Sequence, residues 1–406
     1  MIYILLEDAL IETNPWWKGE FFKIDIKPRR IYYTLLPYLE KKQVIGIYGL
    51  RRTGKSYLTF YLIKKLIEKE NPKSIFYFSF DEFNQTNISD VLKVAEQFTK
   101  TPIKFVFFDE IQKLDNWTEQ IKRLYDFRNL KIVLTGSETL MLRKSSRESL
   151  AGRIFEFKMN PLSFSEYLEF KGILNDKLHE NEIKEAVEHY MLISGFPELV
   201  NETEHLFIKK YIKEGILEKA IYKDIPKRYK IDDPSLLERM MNIIANNPGL
   251  LIDKNSFARD LGVFRQTISK YLFYLESSFL IKSLYNYSKN ASTSEKKLKK
   301  YYLGFSPLAV ELNHENEFIG KVVENICILK SNAKFFWRSA QKDEVDIILE
   351  NPVFPVEVKY RNQVSSGGID RFKELFKVKR SLVITKDIEK IDGDKKYVPF
   401  WKWLLE

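Results

Sequence analysis

The octapeptide GLRRTGKS, Gly49 to Ser56, satisfies every fixed position of the pattern G-x-x-x-x-G-K-[ST]. It lies between the apolar run VIGIY and the helix-like stretch SYLTFYLIKKL, the strand–loop–helix setting in which that pattern cradles phosphate. Its glycines let backbone N–H groups turn inward around phosphate oxygens, and the helix N-terminus adds a partial positive charge. Lys55 would reach the β and γ phosphates and Ser56 would offer its hydroxyl to Mg²⁺. The stretch Gly49, Leu50, Arg51, Arg52, Thr53, Gly54, Lys55, Ser56 and Tyr57 is therefore read as the ATP-binding segment.

A triphosphate-hydrolysing site needs a second half, a buried strand ending in carboxylates. KFVFFDEIQKL supplies it: Phe105 to Phe108 are apolar, then come Asp109, read as a Mg²⁺ ligand, and Glu110, read as the general base that polarises the attacking water. A further apolar strand, KIVLTGSE, ends near Ser137, a polar side chain that could sense the γ-phosphate. Arg153, in LAGRIFEF, is a candidate to meet the γ-phosphate in cis or from a neighbouring subunit, with Arg51 and Arg52 as rivals.

The elements that must hold these residues follow from the same stretch. From Val44 to Leu134 short β-branched and aromatic runs alternate with helical ones, the pattern of a parallel sheet with crossover helices. After NPLSFSEYLEF strand patterns give way to helical periodicity, read as a helical lid. LLERMMNIIANNPG and SFARDLGVFRQTISKYLFYLESSFLI then suggest short helices before a basic ribbon, a winged helix-turn-helix. There Phe257, Leu261, Ile268, Tyr271, Leu272, Leu275 and Phe279 form the core face, and Arg265, Gln266, Ser269 and Lys270 are left near the helix start for DNA. Lys282, Lys289, Lys296, Lys297, Lys299 and Lys300 would form a wing suited to the phosphate backbone.

Near the end, EVDIILENPVFPVEVKY puts Asp346 on one strand and Glu357 and Lys359 on one face of the next. A hairpin through Asn351 and Pro352 would join them, and Glu324 on an upstream helix could complete the cluster. Carboxylates with a lysine suit an Mg²⁺ centre that acts on phosphodiesters, with Glu324, Asp346 and Glu357 as ligands and Lys359 orienting the scissile phosphate. D-x10-E-x-K resembles the PD-(D/E)XK nuclease core. A helix–strand–strand–strand–helix–strand order around it predicts a restriction-endonuclease-like α/β domain.

Bulk properties agree. With 406 residues the chain exceeds what one core usually serves, and Lys plus Arg outnumber Asp plus Glu by 66 to 56, a charge of +10 that favours a polyanionic partner. Cys327 is the only cysteine, which excludes a disulfide framework within the chain and any CxxC zinc site. His179, His189, His205 and His314 lack ligand spacing. No stretch approaches the ~20 apolar residues of a membrane span, and the N-terminus does not read as a signal peptide, so a cytoplasmic protein without membrane contact is expected.

Taken in order, NPWWKGE, GLRRTGKS, FVFFDEIQKL, LTGSE, SLAGRIFEF and NPLSFSEYL resemble the AAA-type ATPases of archaea and bacteria related to the STAND and Orc/Cdc6-like groups. The likeness spans about residues 15 to 200 and includes the GFPE turn at Gly195 to Glu198. It implies ATP and Mg²⁺ as cofactors and ATPase activity, with a winged helix and a nuclease-like domain behind, and it is compatible with a homo-oligomer. One departure is Gly304, where relatives tend to carry Asp after the aromatic strand.

The expected organisation is an arm over 1–38, a P-loop core over 39–165, a lid over 166–232, a winged helix over 233–300 and the nuclease-like domain over 301–406. The functions left open are an ATP-controlled Mg²⁺-dependent nuclease or DNA-remodelling factor, a STAND-like signalling or defence switch, and a nucleotide-dependent DNA-binding regulator with an idle nuclease centre.

Overall fold

The structure, a computed structural model, describes residues 9–21, 26–81, 86–137, 148–173, 179–231, 233–309, 316–361 and 367–406. Residues 1–8 of the expected arm, Glu138 of the LTGSE motif and His314 fall outside the described residues. The chain divides into two compact units, 1–160 and 161–406.

In the first unit five strands form a parallel sheet: β1 (Val44–Tyr48), β2 (Ile75–Ser79), β3 (Phe105–Asp109), β4 (Lys131–Gly136) and β5 (Ile154–Lys158), in the order β2-β3-β4-β1-β5. The central strands are buried on both faces, which is why their sequences are continuous apolar runs rather than alternating ones. Helices α1 (Ile31–Leu39), α2 (Lys55–Ile67), α3 (Ile88–Thr99) and α4 (Trp117–Phe127) connect or flank them. Because β4 lies between β1 and β3, its C-terminal end falls between the phosphate loop and the acidic strand end, and open parallel sheets bind ligands at that edge.

The N-terminal arm is part of this core. Trp16 and Trp17 are buried, and both indole N–H groups donate to the Ile75 carbonyl, at 3.0 and 2.9 Å. The Asn14 amide donates to Tyr77 O at 2.9 Å and accepts from Tyr77 N at 2.7 Å, so a single side chain satisfies both backbone groups of Tyr77 in edge strand β2.

The second unit begins with α5 (Phe164–Lys171), started by a Ser163/Glu166 capping box, and continues through α6 (Glu180–Ile193) and α7 (His205–Ile212). Two π-helical stretches lead to α8 (Ile225–Tyr229). Then come α9 (Ser235–Asn246), β6 (Leu250–Ile252), α10 (Lys254–Leu261), α11 (Arg265–Ser277), β7 (Ile281–Asn286), α12 (Ala291–Lys296) and β8 (Lys299–Leu303). The last part holds α13 (Asn316–Lys330), β9 (Phe335–Arg338), β10 (Glu344–Leu349), β11 (Phe354–Lys359), α14 (Gly367–Phe376), β12 (Ser381–Thr385), β13 (Lys390–Asp392), β14 (Lys395–Pro399) and α15 (Phe400–Leu405).

Among the described residues β6 to β14 form one nine-stranded sheet, β13-β14-β12-β11-β10-β9-β7-β8-β6. The expected boundary at 300/301 therefore falls inside β8, and the parallel pairing of β7 with β9 joins the two segments that it was meant to separate. Gly304 has a steric reason: a Cβ there would lie 1.8 Å from the Phe279 carbonyl oxygen, so the Asp expected from the family likeness cannot fit this backbone. Among the described residues no helix is long and apolar enough to cross a membrane.

Candidate functional site

The phosphate loop follows β1 and ends at α2, whose N-cap is Gly54. A Cβ on Gly49 would meet Met159 O at 2.1 Å, so the loop passes the β5 end only without a side chain. Lys55 is buried and its ammonium donates to Gly49 O and Leu50 O, both at 3.0 Å. Thr53 is fully buried, with its hydroxyl on Leu50 O at 2.9 Å. Arg29 braces the loop from behind, donating to Thr53 O at 2.7 Å and Asn160 O at 3.0 Å. The backbone of Arg52 is left-handed, and Tyr57 is exposed on the first turn of α2.

Asp109 ends β3 and is buried. Its Oδ2 accepts from Ser56 Oγ at 2.7 Å and Tyr77 OH at 3.0 Å, and its Oδ1 accepts from Thr135 Oγ1. Burial and the neighbouring carboxylate push the Tyr77 phenol far above its ordinary range, so it stays protonated and keeps its hydrogen bond to Asp109. A serine hydroxyl against a carboxylate, beside a phosphate loop, is a hard-oxygen pair that fits Mg²⁺.

Glu110 sits in the left-handed region at φ 49°, a strained position for a non-glycine residue. Ser137 Oγ donates to its carboxylate, 2.9 Å from Oε1 and 2.7 Å from Oε2, and Gln112 Nε2 donates to Oε2. Among the described residues the buried Gln112 Oε1 has no partner. Glu110 and Ser137 thus lie together, a pairing that the sequence reading did not make. Arg29, Tyr77, Gln112 and Thr135 had no motif to mark their roles.

Arg153 is placed differently. It precedes β5, and its carbonyl accepts from Val44 N at 2.8 Å, at the N-terminal ends of the strands and the opposite edge from the loop. Its guanidinium pairs with Asp126 at 3.1 Å. The expected γ-phosphate contact in cis is corrected: four strand steps of about 3.3 Å separate the two edges.

In the second unit the register Ile347↔Val356 sets Asp346 one step along the ladder, beside Glu357, as the hairpin reading predicts. Asp346 Oδ2 accepts from Val358 N at 2.8 Å, and Lys359 Nζ lies 2.6 Å from Glu357 Oε1. The buried Glu357 Oε2 has no partner among the described residues. Glu324, on α13, accepts from Tyr302 OH at 2.6 Å and faces Lys300 Nζ at 3.3 Å. Lys300 also lies 2.5 Å from Glu344 and 3.9 Å from Asp346, and Arg338 lies 3.3 Å from Glu344.

Burial, then the charges of Glu357 and Glu324, raise Asp346 well above the usual carboxylate range. Burial opposes ionisation of Lys300, but Glu324, Asp346 and Glu344 hold it charged. The cluster as arranged does not fit a divalent metal: an ammonium stands among the carboxylates, and no three Asp, Glu, His or Cys side chains among the described residues converge as ligands.

Strands β6, β8 and β7 form an antiparallel ribbon behind α10 and α11. Phe257, Ile268, Leu272 and Leu275 are buried as the helical spacing requires, while Arg265, Gln266 and Lys270 are exposed and Ser269 half-exposed at the start of α11. The basic run after α11 is less free than its composition suggests. Lys282 donates to Ile328 O at 3.4 Å, Lys299 lies 3.7 Å over the Tyr285 ring, and Lys300 is buried.

Residues 41–168 match the family model described as AAA domain. A Haemophilus influenzae protein described as uncharacterised is 31% identical over 66% of this chain and 69% of its own length. The chain belongs to the AAA-type ATPases. Of this AAA-type ATPase, residues 184–313 and 319–403 match two models each described as a domain of unknown function. Two proteins of Methanocaldococcus jannaschii, both described as uncharacterised, are similar: one is 28% identical over 99% of this chain and 95% of the relative, the other 26% over 90% and 85%. Among solved structures, a Walker-type ATPase of Pyrococcus abyssi is 18% identical with a TM-score of 0.42, covering 71% of this chain and 97% of that one.

Proposed function

We propose that this ATPase is a nucleotide-dependent regulator that binds DNA through a winged helix formed by residues 235–303, and that its nuclease-like C-terminal part rests without metal. The observation that carries the reading is α11. Its first two turns leave Arg265, Gln266 and Lys270 in solvent while Ile268, Leu272 and Leu275 are buried. A helix held in that way offers its N-terminal turn to base edges or phosphates.

At the ATP site the residues divide the work. Phosphate oxygens would replace the two carbonyls that Lys55 now binds, and Ser56 with Asp109 would hold Mg²⁺, which neutralises phosphate charge when bound. Glu110 would take a proton from the attacking water. Ser137 and Gln112 hold its carboxylate in place and leave lone pairs free to take that proton. Lys55→Ala and Glu110→Gln should each lower phosphate release, the latter by about 10²-fold or more; unchanged turnover would refute these roles.

DNA binding is tested by titrating a labelled duplex over a salt series. Affinity should fall steeply with salt, and Arg265→Ala should weaken it and flatten the slope by about one unit. A flat salt response together with an unaffected variant would reject the DNA reading. The α13-β9-β10-β11-α14-β12 order supports a restriction-endonuclease-like fold for the C-terminal part. With Lys300 in the carboxylate cluster, supercoiled DNA with Mg²⁺ should stay uncut by wild type and by Lys359→Ala alike; cutting by wild type alone would restore the nuclease reading.

A further inference from the structure

Lys300, in the basic run after α11, points into the nuclease-like centre. Along β8 side chains alternate, so Lys300 shares a face with Tyr302, and both reach Glu324. Its backbone is fixed from both sides, by Leu251 of β6 and Leu284 of β7. Its side chain is nine-tenths buried, 5.4 Å over the Phe336 ring, with an ammonium within 4 Å of Glu324, Glu344 and Asp346.

We propose that Lys300 is a built-in cation that takes the place of a divalent metal among Glu324, Asp346 and Glu357, so that metal enters only when this side chain leaves. The inference rests on the nuclease-like reading of the C-terminal part. Charge balance supports it. Lys300, Lys359 and Arg338 face four carboxylates, Glu324, Glu344, Asp346 and Glu357, which leaves one positive charge missing. Without Lys300 two cations would face those four carboxylates, a deficit of two positive charges that one divalent ion would fill. Without the lysine, the carboxylate of Asp346 and the Glu357 Oε2 that has no partner among the described residues are left to a metal. Since β8 also belongs to the ribbon behind α11, whatever shifts the ribbon also shifts the plug.

The test is Mn²⁺ binding to the full chain without nucleotide, followed by the electron paramagnetic resonance signal of free Mn²⁺. Wild type should show no Mn²⁺ that Asp346→Asn removes. Lys300→Met, which keeps the apolar stem and deletes the charge, should gain one Mn²⁺ per chain and lose it again in Lys300→Met/Asp346→Asn. If Lys300→Met does not fold by circular dichroism, Lys300→Gln is read in the same way. An Asp346-dependent Mn²⁺ already present in wild type, or no gain in the folded variant, would overturn the proposal. Cleavage is not the readout, so a variant that loads Mn²⁺ and still leaves DNA intact would reject the nuclease-like reading while upholding the plug.

Discussion

Lys55, Ser56, Asp109 and Glu110 were legible because their chemistry is written in local spacing: a loop of fixed length, and a strand that stops at two carboxylates. Their supports were not legible. Arg29 reaches Thr53 across 24 positions and Tyr77 reaches Asp109 across 32, and no pattern in the chain ties such pairs together. Lys300 was misread for a related reason. In a lysine-rich run each residue looks like its neighbours, and only the alternation of β8 separates the buried one from those facing solvent. Gly304 shows the opposite case, a residue whose type is dictated by one backbone atom of another strand's approach. Gly304→Ala should cost about 1–3 kcal/mol or more, because the Phe279 carbonyl cannot move without breaking the turn before β7. A urea melt that left the second unit's midpoint unchanged would contradict that steric account.

The parallel sheet of the first unit was readable as an element because strands buried on both faces are apolar at every position, a signal independent of partner. The order of the strands was not readable, and with it the placement of Arg153 at the far edge from the phosphate loop. The ribbon and the C-terminal sheet were each recognisable, but their fusion depends on the short β7–β9 pairing, with Tyr285 and Asn286 in register with Phe335 and Phe336. The arm at β2 gives a prediction at this scale. Asn14→Ala would leave the buried N–H and C=O of Tyr77 unpaired, a loss of about 1–3 kcal/mol for each group. Differential scanning calorimetry should show a lower first-unit transition, and an unchanged one would mean that water replaces the amide.

The whole molecule carries ten surplus positive charges, but several of its lysines are spent internally, on carbonyls, on an aromatic ring and on buried carboxylates. Net charge therefore overstated the surface available to a polyanion. Assembly bears on Arg153 in the same way. Since Arg153 cannot reach the phosphates of its own chain, Arg153→Ala should leave turnover unchanged in dilute monomeric protein. A loss that grows with protein concentration would instead mean that it serves a second copy. The fit of Asn14, Trp16 and Trp17 against β2 has one last consequence. A chain shortened to begin after residue 20 would bare the outer N–H and C=O groups of IFYFS, an aromatic strand with no charged or proline residue to deter pairing. Its failure should show as self-association into strand-paired aggregates rather than as a soluble unfolded monomer.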